Sequence, residues 1–172
     1  MTGGRRGRPP GGYTVDRVEE IDRRIVTLLA SDGRMSFTDL AKETGLSVSA
    51  VHQRVRRLEK RGVVRGYAAL VDYEAIGLPL TAFVSIKPID PAAADDAPVR
   101  LAHLAAIEAC HSVAGDESYI LKVRVASPFA LEELLSQIRT AANVSTRTTV
   151  VLSTPYEHRP PEPAGGGPGG DA

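Results

Sequence analysis

Residues 47–61 read SVSAVHQRVRRLEKR, and at about 100° of helix per residue they sort into two faces. Val51, Val55 and Leu58 fall on one side. Ser49, Gln53, Arg56, Arg57 and Lys60 cluster on the other, with His52 and Arg54 on the flanks. Those side chains can do recognition chemistry. Gln bonds adenine in two places, Arg bonds guanine in two places, and Ser or Lys holds a phosphate oxygen. His52 fits a phosphate or base-edge contact better than a metal site. The pattern points to DNA.

A face of this kind needs elements that hold it outward. Ser47 is placed to cap the helix and is counted with Ser49 among the DNA-binding candidates, and Gly45 supplies a left-handed residue for a tight turn just before it. Upstream, Ser36 and Asp39 have the spacing of a capping box for a short helix that buries Leu40 and Ala41. Before that, Ile21, Ile25, Leu28 and Leu29 form the stripe of a first amphipathic helix over Val18–Leu29, ended by Asp32-Gly33. Three short helices with a glycine turn ahead of a basic third one make a helix-turn-helix. Its domain is expected over residues 15–66.

Charge supports the same division. The 172 residues carry 21 Lys and Arg against 21 Asp and Glu. Residues 1–66 hold 14 basic and 8 acidic side chains, and residues 67–172 hold 7 and 13. One module faces a polyanion and the other does not. Composition excludes other classes. No apolar run reaches the ~20 residues of a membrane helix, the N-terminus lacks the apolar segment of a secretory signal, and Cys110 is the only cysteine. A cytoplasmic protein is expected, without disulfides, metal or cofactor.

Past Gly62 the periodicity turns strand-like. Residues 67–79 are expected to include a short linking strand, begun by the β-branched run from Val63. Strands are expected over Leu80–Ile89, His111–Ala114, Tyr119–Val125 and Arg147–Leu152, with helices over Pro98–Ala109 and Phe129–Ala141. The order βαββαβ is a ferredoxin-like arrangement, so the chain is α+β, with this second domain over residues 80–157. Both helices would lie on one face of a four-stranded sheet. The other face is left for a second subunit to cover. Residues 1–14 and 158–172 are Gly/Pro-rich and read as disordered tails.

At this point the chain resembles the Lrp/AsnC ("feast/famine") family of prokaryotic transcription regulators. The resemblance rests on Ile21-Asp22-Arg23-Arg24-Ile25, Asp32-Gly33-Arg34, Gly45-Leu46-Ser47-Val48-Ser49-Ala50-Val51, Arg54-Val55-Arg56-Arg57-Leu58-Glu59 and Gly62-Val63-Val64 with Gly66-Tyr67. In the second half it rests on Val113–Val123 and Thr146–Val151. It implies a winged helix-turn-helix joined to a RAM domain that binds effectors. It also implies homodimers that assemble into tetramers or octamers on a pseudo-palindromic double-stranded DNA site. Small effectors, usually amino acids, would bind near Gly115-Asp116. Backbone N–H groups of the glycine turn suit an α-carboxylate and Asp116 suits an ammonium. Tyr119 and the hydroxyls of Ser118, Thr146 and Thr148 complete the candidate site. Many members carry a second acid where this chain has Ser118, which weakens or shifts an amino-acid preference.

Two further functions compete with an effector-responsive regulator. One is an architectural DNA-wrapping protein whose C-terminal domain only oligomerises. The other is an enzyme, but no set of His, Asp and Cys, phosphate loop or metal spacing supports catalysis. Arg6-Gly7-Arg8-Pro9 resembles a minor-groove AT-hook. Cys110-His111 reads as a buried small residue at the start of a strand.

Overall fold

The computed structural model describes residues 19–92 and 95–160. It divides into two compact units, one running to Ala69 and the other spanning Leu70–Glu157. The AT-hook resemblance at residues 6–9 lies outside the described residues.

The first unit contains α1 (Glu20–Ser31), α2 (Phe37–Thr44) and α3 (Val48–Lys60). Local chemistry sets each boundary. The Ser36 hydroxyl accepts from the Asp39 N–H at 3.1 Å and donates to the Asp39 carboxylate at 2.6 Å. Gly45 ends α2 at φ 71°, and the Leu46 N–H then reaches the Ala41 carbonyl at 3.1 Å. That left-handed residue lets the chain turn within two residues into α3. Ser47 starts α3 by accepting from the Ala50 N–H at 3.2 Å.

The core between these helices is Ile25, Leu29, Leu40, Ala41, Val51, Val55 and Leu58. Full burial of each large aliphatic side chain contributes about 1.5–3 kcal/mol. One charged group is buried with them, Asp22, at 0% exposure.

The expected strand after Gly62 does not form. Gly62 takes φ 70°, its N–H donates to Glu59, and the Val63 and Val64 N–H groups both reach the Leu58 carbonyl. The β-branched run is therefore used to cap α3. No strand lies between α3 and Leu80 among the described residues. A strand requires a ladder partner, and this segment finds none within one chain.

The second unit has β1 (Leu80–Pro88), α4 (Ala97–Leu101), β2 (Ile107–Ser112), β3 (Tyr119–Val125), α5 (Pro128–Ala142) and β4 (Val144–Val150). The antiparallel sheet has the order β2-β3-β1-β4. Ala82, Val84 and Ile86 alternate inward with Leu121, Val123 and Val144, against Leu131, Leu134 and Ile138 of α5. Ser127 caps α5, and Asn143 at φ 52° ends it one residue before β4.

Three expected boundaries were displaced. One is the last strand, which runs over Val144–Val150 instead of Arg147–Leu152 because its ladder with β1 starts at Pro88 opposite Val144. The helix placed over Pro98–Ala109 stops at Leu101, because β2 begins at Ile107 and pairs with Val123 of β3. Leu101 and Leu104 have helical spacing, but the ladder available along β3 overrides it. The strand expected at His111–Ala114 is the far end of β2, which closes at Ser112. Cys110 thus sits within an edge strand and is exposed, not buried at a strand start. Among the described residues no helix is long and apolar enough to cross a membrane.

Candidate nucleic-acid interface and effector site

Helix α3 presents two different basic surfaces. Gln53, Arg56 and Lys60 are exposed and, among the described residues, have no ion pair or side-chain hydrogen bond. They share a stripe opposite Val51, Val55 and Leu58, all three wholly or almost wholly buried. Ser49 is exposed on the same stripe and lies 3.1 Å from the Ser47 hydroxyl. His52 stands at the edge, with its ring edge-on to Phe37 at 5.0 Å between centroids.

Arg54 and Arg57 behave otherwise. Arg54 Nη1 donates to Asp22 Oδ1 and to Glu19 Oε2, each at 2.8 Å. Arg57 Nη2 donates to Asp22 Oδ2 at 2.8 Å and lies 3.7 Å from Glu19 Oε1. The sequence pattern groups Arg57 with the outward stripe, yet its guanidinium reaches to α1. Burial opposes ionisation of Asp22, but the hydrogen bonds and charges of Arg54 and Arg57 outweigh it, holding the carboxyl below its ordinary value. The hydrogen bonds that Arg54 donates to Glu19 and then to Asp22 push its own pKa upward. A charged residue occupies the core because both carboxylate oxygens have guanidinium partners.

Asp22 was missed from the sequence as a functional residue. The signal was present: Asp22, Ile25 and Leu29 are the buried residues of α1, so the acid stands on the apolar stripe itself. Tyr67 secures the exit from α3. Its hydroxyl donates to Glu59 at 3.0 Å, and its ring lies over Gly33, 3.6 Å from where a Cβ would stand. Burial, then the Glu59 contact, raises its pKa.

In the second unit the candidate effector residues separate into groups. Gly115 and Asp116 are exposed in the β2–β3 loop, with open space where a Gly115 Cβ would be. Ser118 anchors that loop, its N–H donating to Ile86 at 3.0 Å and its carbonyl accepting from Val113 at 3.1 Å. Tyr119 instead packs inward at 8% exposure, with its hydroxyl on Asp95 at 2.7 Å. That hydrogen bond, with some burial, raises the Tyr119 pKa.

Thr146 and Thr148 lie on the helix-covered face of β4, opposite Ile86 and Val84. Tyr119, Ile86 and Thr146 form one cross-strand row. Two strand spacings, roughly 10 Å, therefore separate Thr146 from Tyr119. Thr146 accepts from Arg139 of α5 at 3.3 Å. The residue that links the loop to β4 is Glu117, which pairs with Arg147. An acid beside Gly115-Asp116 was visible in the sequence, but its partner was not.

The sheet face away from the helices carries Phe83, Ile120, Lys122, Arg124 and Thr149, placed there by the register of β1 with β3 and β4. Segments of the same chain cover part of it, leaving the Lys122 and Arg124 side chains 18% and 11% exposed. Arg124 stacks over the Tyr73 ring at 3.8 Å, and its Nε donates to Glu108 at 2.5 Å. Lys122 pairs with Glu108 at 3.5 Å and with Glu157. Cys110 has a thiol pushed up by partial desolvation, which makes it a poor nucleophile.

Comparison with known proteins agrees with this division. Residues 18–65 match the family model for winged helix-turn-helix DNA-binding domains, and residues 81–161 match that for the Lrp/AsnC ligand binding domain. The HTH-type transcriptional regulator LrpA of Mycobacterium tuberculosis is 57% identical over 144 residues, 84% of this chain and 96% of that protein. The leucine-responsive regulatory protein of Escherichia coli K12 is 37% identical over 139 residues, 78% of this chain and 85% of that protein. Among solved structures, the M. tuberculosis feast or famine regulatory protein complexed with L-methionine superposes with a TM-score of 0.81 at 57% identity. That match covers 83% of this chain and 97% of the other. With its helix-turn-helix and its ferredoxin-like second unit both accounted for, the chain belongs to the Lrp/AsnC family of DNA-binding transcriptional regulators.

Proposed function

We propose that this regulator reads a pseudo-palindromic duplex through Gln53 and Arg56, with Lys60, Ser49 and His52 on the phosphates, and that a small amino acid modulates the binding. The observation that carries the reading is the exposed stripe of Gln53, Arg56 and Lys60 on α3, whose polar groups have no side-chain partner among the described residues. Unpaired donors on a rigid helix are ready for base edges and cost no broken contact on binding. A homodimer would set two such helices in successive major grooves. The sheet face away from the helices is covered in part by Tyr73 and Glu157, and its remaining exposed part, with Phe83 at 41% exposure, offers a surface for pairing two chains. Assembly beyond the dimer, to tetramer or octamer, and action on cytoplasmic nucleoid DNA follow from the same reading.

The effector site is assigned to the β2–β3 loop, with Gly115, Asp116 and Ser118 joined by Glu117. Loop N–H groups suit an α-carboxylate, and Asp116 or Glu117 suits an ammonium. The methionine complex of the 57% identical M. tuberculosis protein supports an amino acid of that kind. Thermal melting of the full chain against the twenty amino acids, L-methionine first, tests this. A ligand at 100 times its Kd should add ~2.7 kcal/mol to the folded state. Loss of the shift in Asp116→Ala would place it at this loop. The absence of a shift with every amino acid would favour the purely architectural role.

A further inference from the structure

Asp22 of α1 and Glu19, the N-cap residue that precedes that helix, give Arg54 and Arg57 unequal partners. Asp22 is wholly buried and takes one hydrogen bond from each guanidinium at 2.8 Å. Glu19 is different. Its side chain is 59% exposed and caps nothing, and it reaches the same two guanidiniums at 2.8 and 3.7 Å. Beside it, Ala50, Gln53, Arg54 and Arg57 line an open cleft of about 340 Å³ on α3. Arg57 remains 46% exposed there. The two arginines are thus fixed from below by one carboxylate and covered from outside by another.

We infer that this cleft is a phosphate subsite of the DNA interface, in which a backbone phosphate takes the place of the Glu19 carboxylate on Arg54 and Arg57 while Asp22 keeps both guanidiniums aimed. The inference rests on the DNA-binding reading of α3 and adds an exchange to it. A phosphate oxygen and a carboxylate oxygen make the same charge-assisted hydrogen bonds to a guanidinium fork. Glu19 is exposed and can swing away at little cost, whereas removing Asp22 would leave two positive groups against an apolar core. Gln53 on the cleft wall places the subsite next to the base-reading stripe. Glu19 acts as a resident competitor that lowers affinity for every sequence alike.

The test is fluorescence anisotropy of the full chain on a labelled mixed-sequence duplex at low ionic strength, comparing Glu19→Gln with Glu20→Gln. Both variants remove one negative charge at the N-terminal end of the same helix, Glu19 being its cap residue and Glu20 its first residue, but Glu20 pairs with Arg23 and not with α3. The exchange predicts that Glu19→Gln tightens binding by about threefold more than Glu20→Gln does, the scale of an exposed ion pair. It also predicts that the gain is equal on duplexes of different sequence. Equal gains from the two variants, or a gain confined to one sequence, would overturn the exchange and leave the DNA-binding reading standing. Failure of the unmodified chain to bind duplex at all would overturn both.

Discussion

Asp22 Oδ2 accepts a hydrogen bond at 2.8 Å from Nη2 of Arg57, joining the buried face of α1 to the basic third helix of the helix-turn-helix. With Arg54 on the other oxygen, the carboxylate fixes both the rotation and the tilt of α3 against α1. The direction in which Gln53 and Arg56 point therefore depends on an acid that is wholly buried.

Asp22→Asn should destabilise the first unit by about 2–3 kcal/mol. The figure is below that for a fully buried pair because Arg54 and Arg57 keep contact with water. Urea titration of the full chain, followed by helix content, measures it. A loss under ~0.5 kcal/mol would show that the pairing contributes nothing beyond a surface bridge.

Acid should act through the same carboxyl. The folded pKa of Asp22 is depressed, so its stabilisation is present above the unfolded value of ~3.9 and is lost as pH falls through the lower folded value. The melting midpoint of the intact chain should drop steeply below pH ~4. In Asp22→Asn that part of the drop should be missing. Identical acid profiles for the two proteins would contradict the assignment.

Base reading and phosphate contact should separate by mutation. Arg56→Ala or Gln53→Ala should each cost ~1–3 kcal/mol on a preferred duplex and relax the preference at one position. Lys60→Ala should weaken all duplexes evenly and lower the salt slope by about one. Tight-binding selections and salt titrations on the three variants read these effects. Uniform weakening by all three would mean that α3 only holds the backbone.

Tyr119→Phe should lower the melting midpoint slightly by removing the hydroxyl from Asp95, and leave any amino-acid response in place. The side chain packs inward against the sheet core, away from the exposed loop. A lost response with an unchanged midpoint would return Tyr119 to the effector site.

How far these features were legible in the sequence depended on whether one chain segment contained the whole cause. Gly45, Ser47 and the alternation of apolar and polar residues in α3 are local devices, and they mark the helix-turn-helix to within a residue or two. β3 emerged with its bounds unchanged because an apolar residue recurs at every second position from Tyr119 to Val125 and both of its neighbouring strands lie within the chain. The segment from Leu101 to Ile107 was ambiguous, since its short apolar run fits a helix until a ladder partner is known. The Asp22 clamp and the Glu117–Arg147 pair each join residues some thirty positions apart. No local pattern contains such a pair. Arg57 was assigned to the DNA-facing stripe because its angle permits it, whereas the carboxylate on α1 decides where its charge goes.

The most direct test of the central account is enrichment of duplexes from a random-sequence pool by the full chain and by Arg56→Ala. The account predicts a two-fold symmetric motif for the unmodified protein, with one position per half-site relaxed in the variant. No enrichment, or the same motif at every position from both proteins, would contradict it.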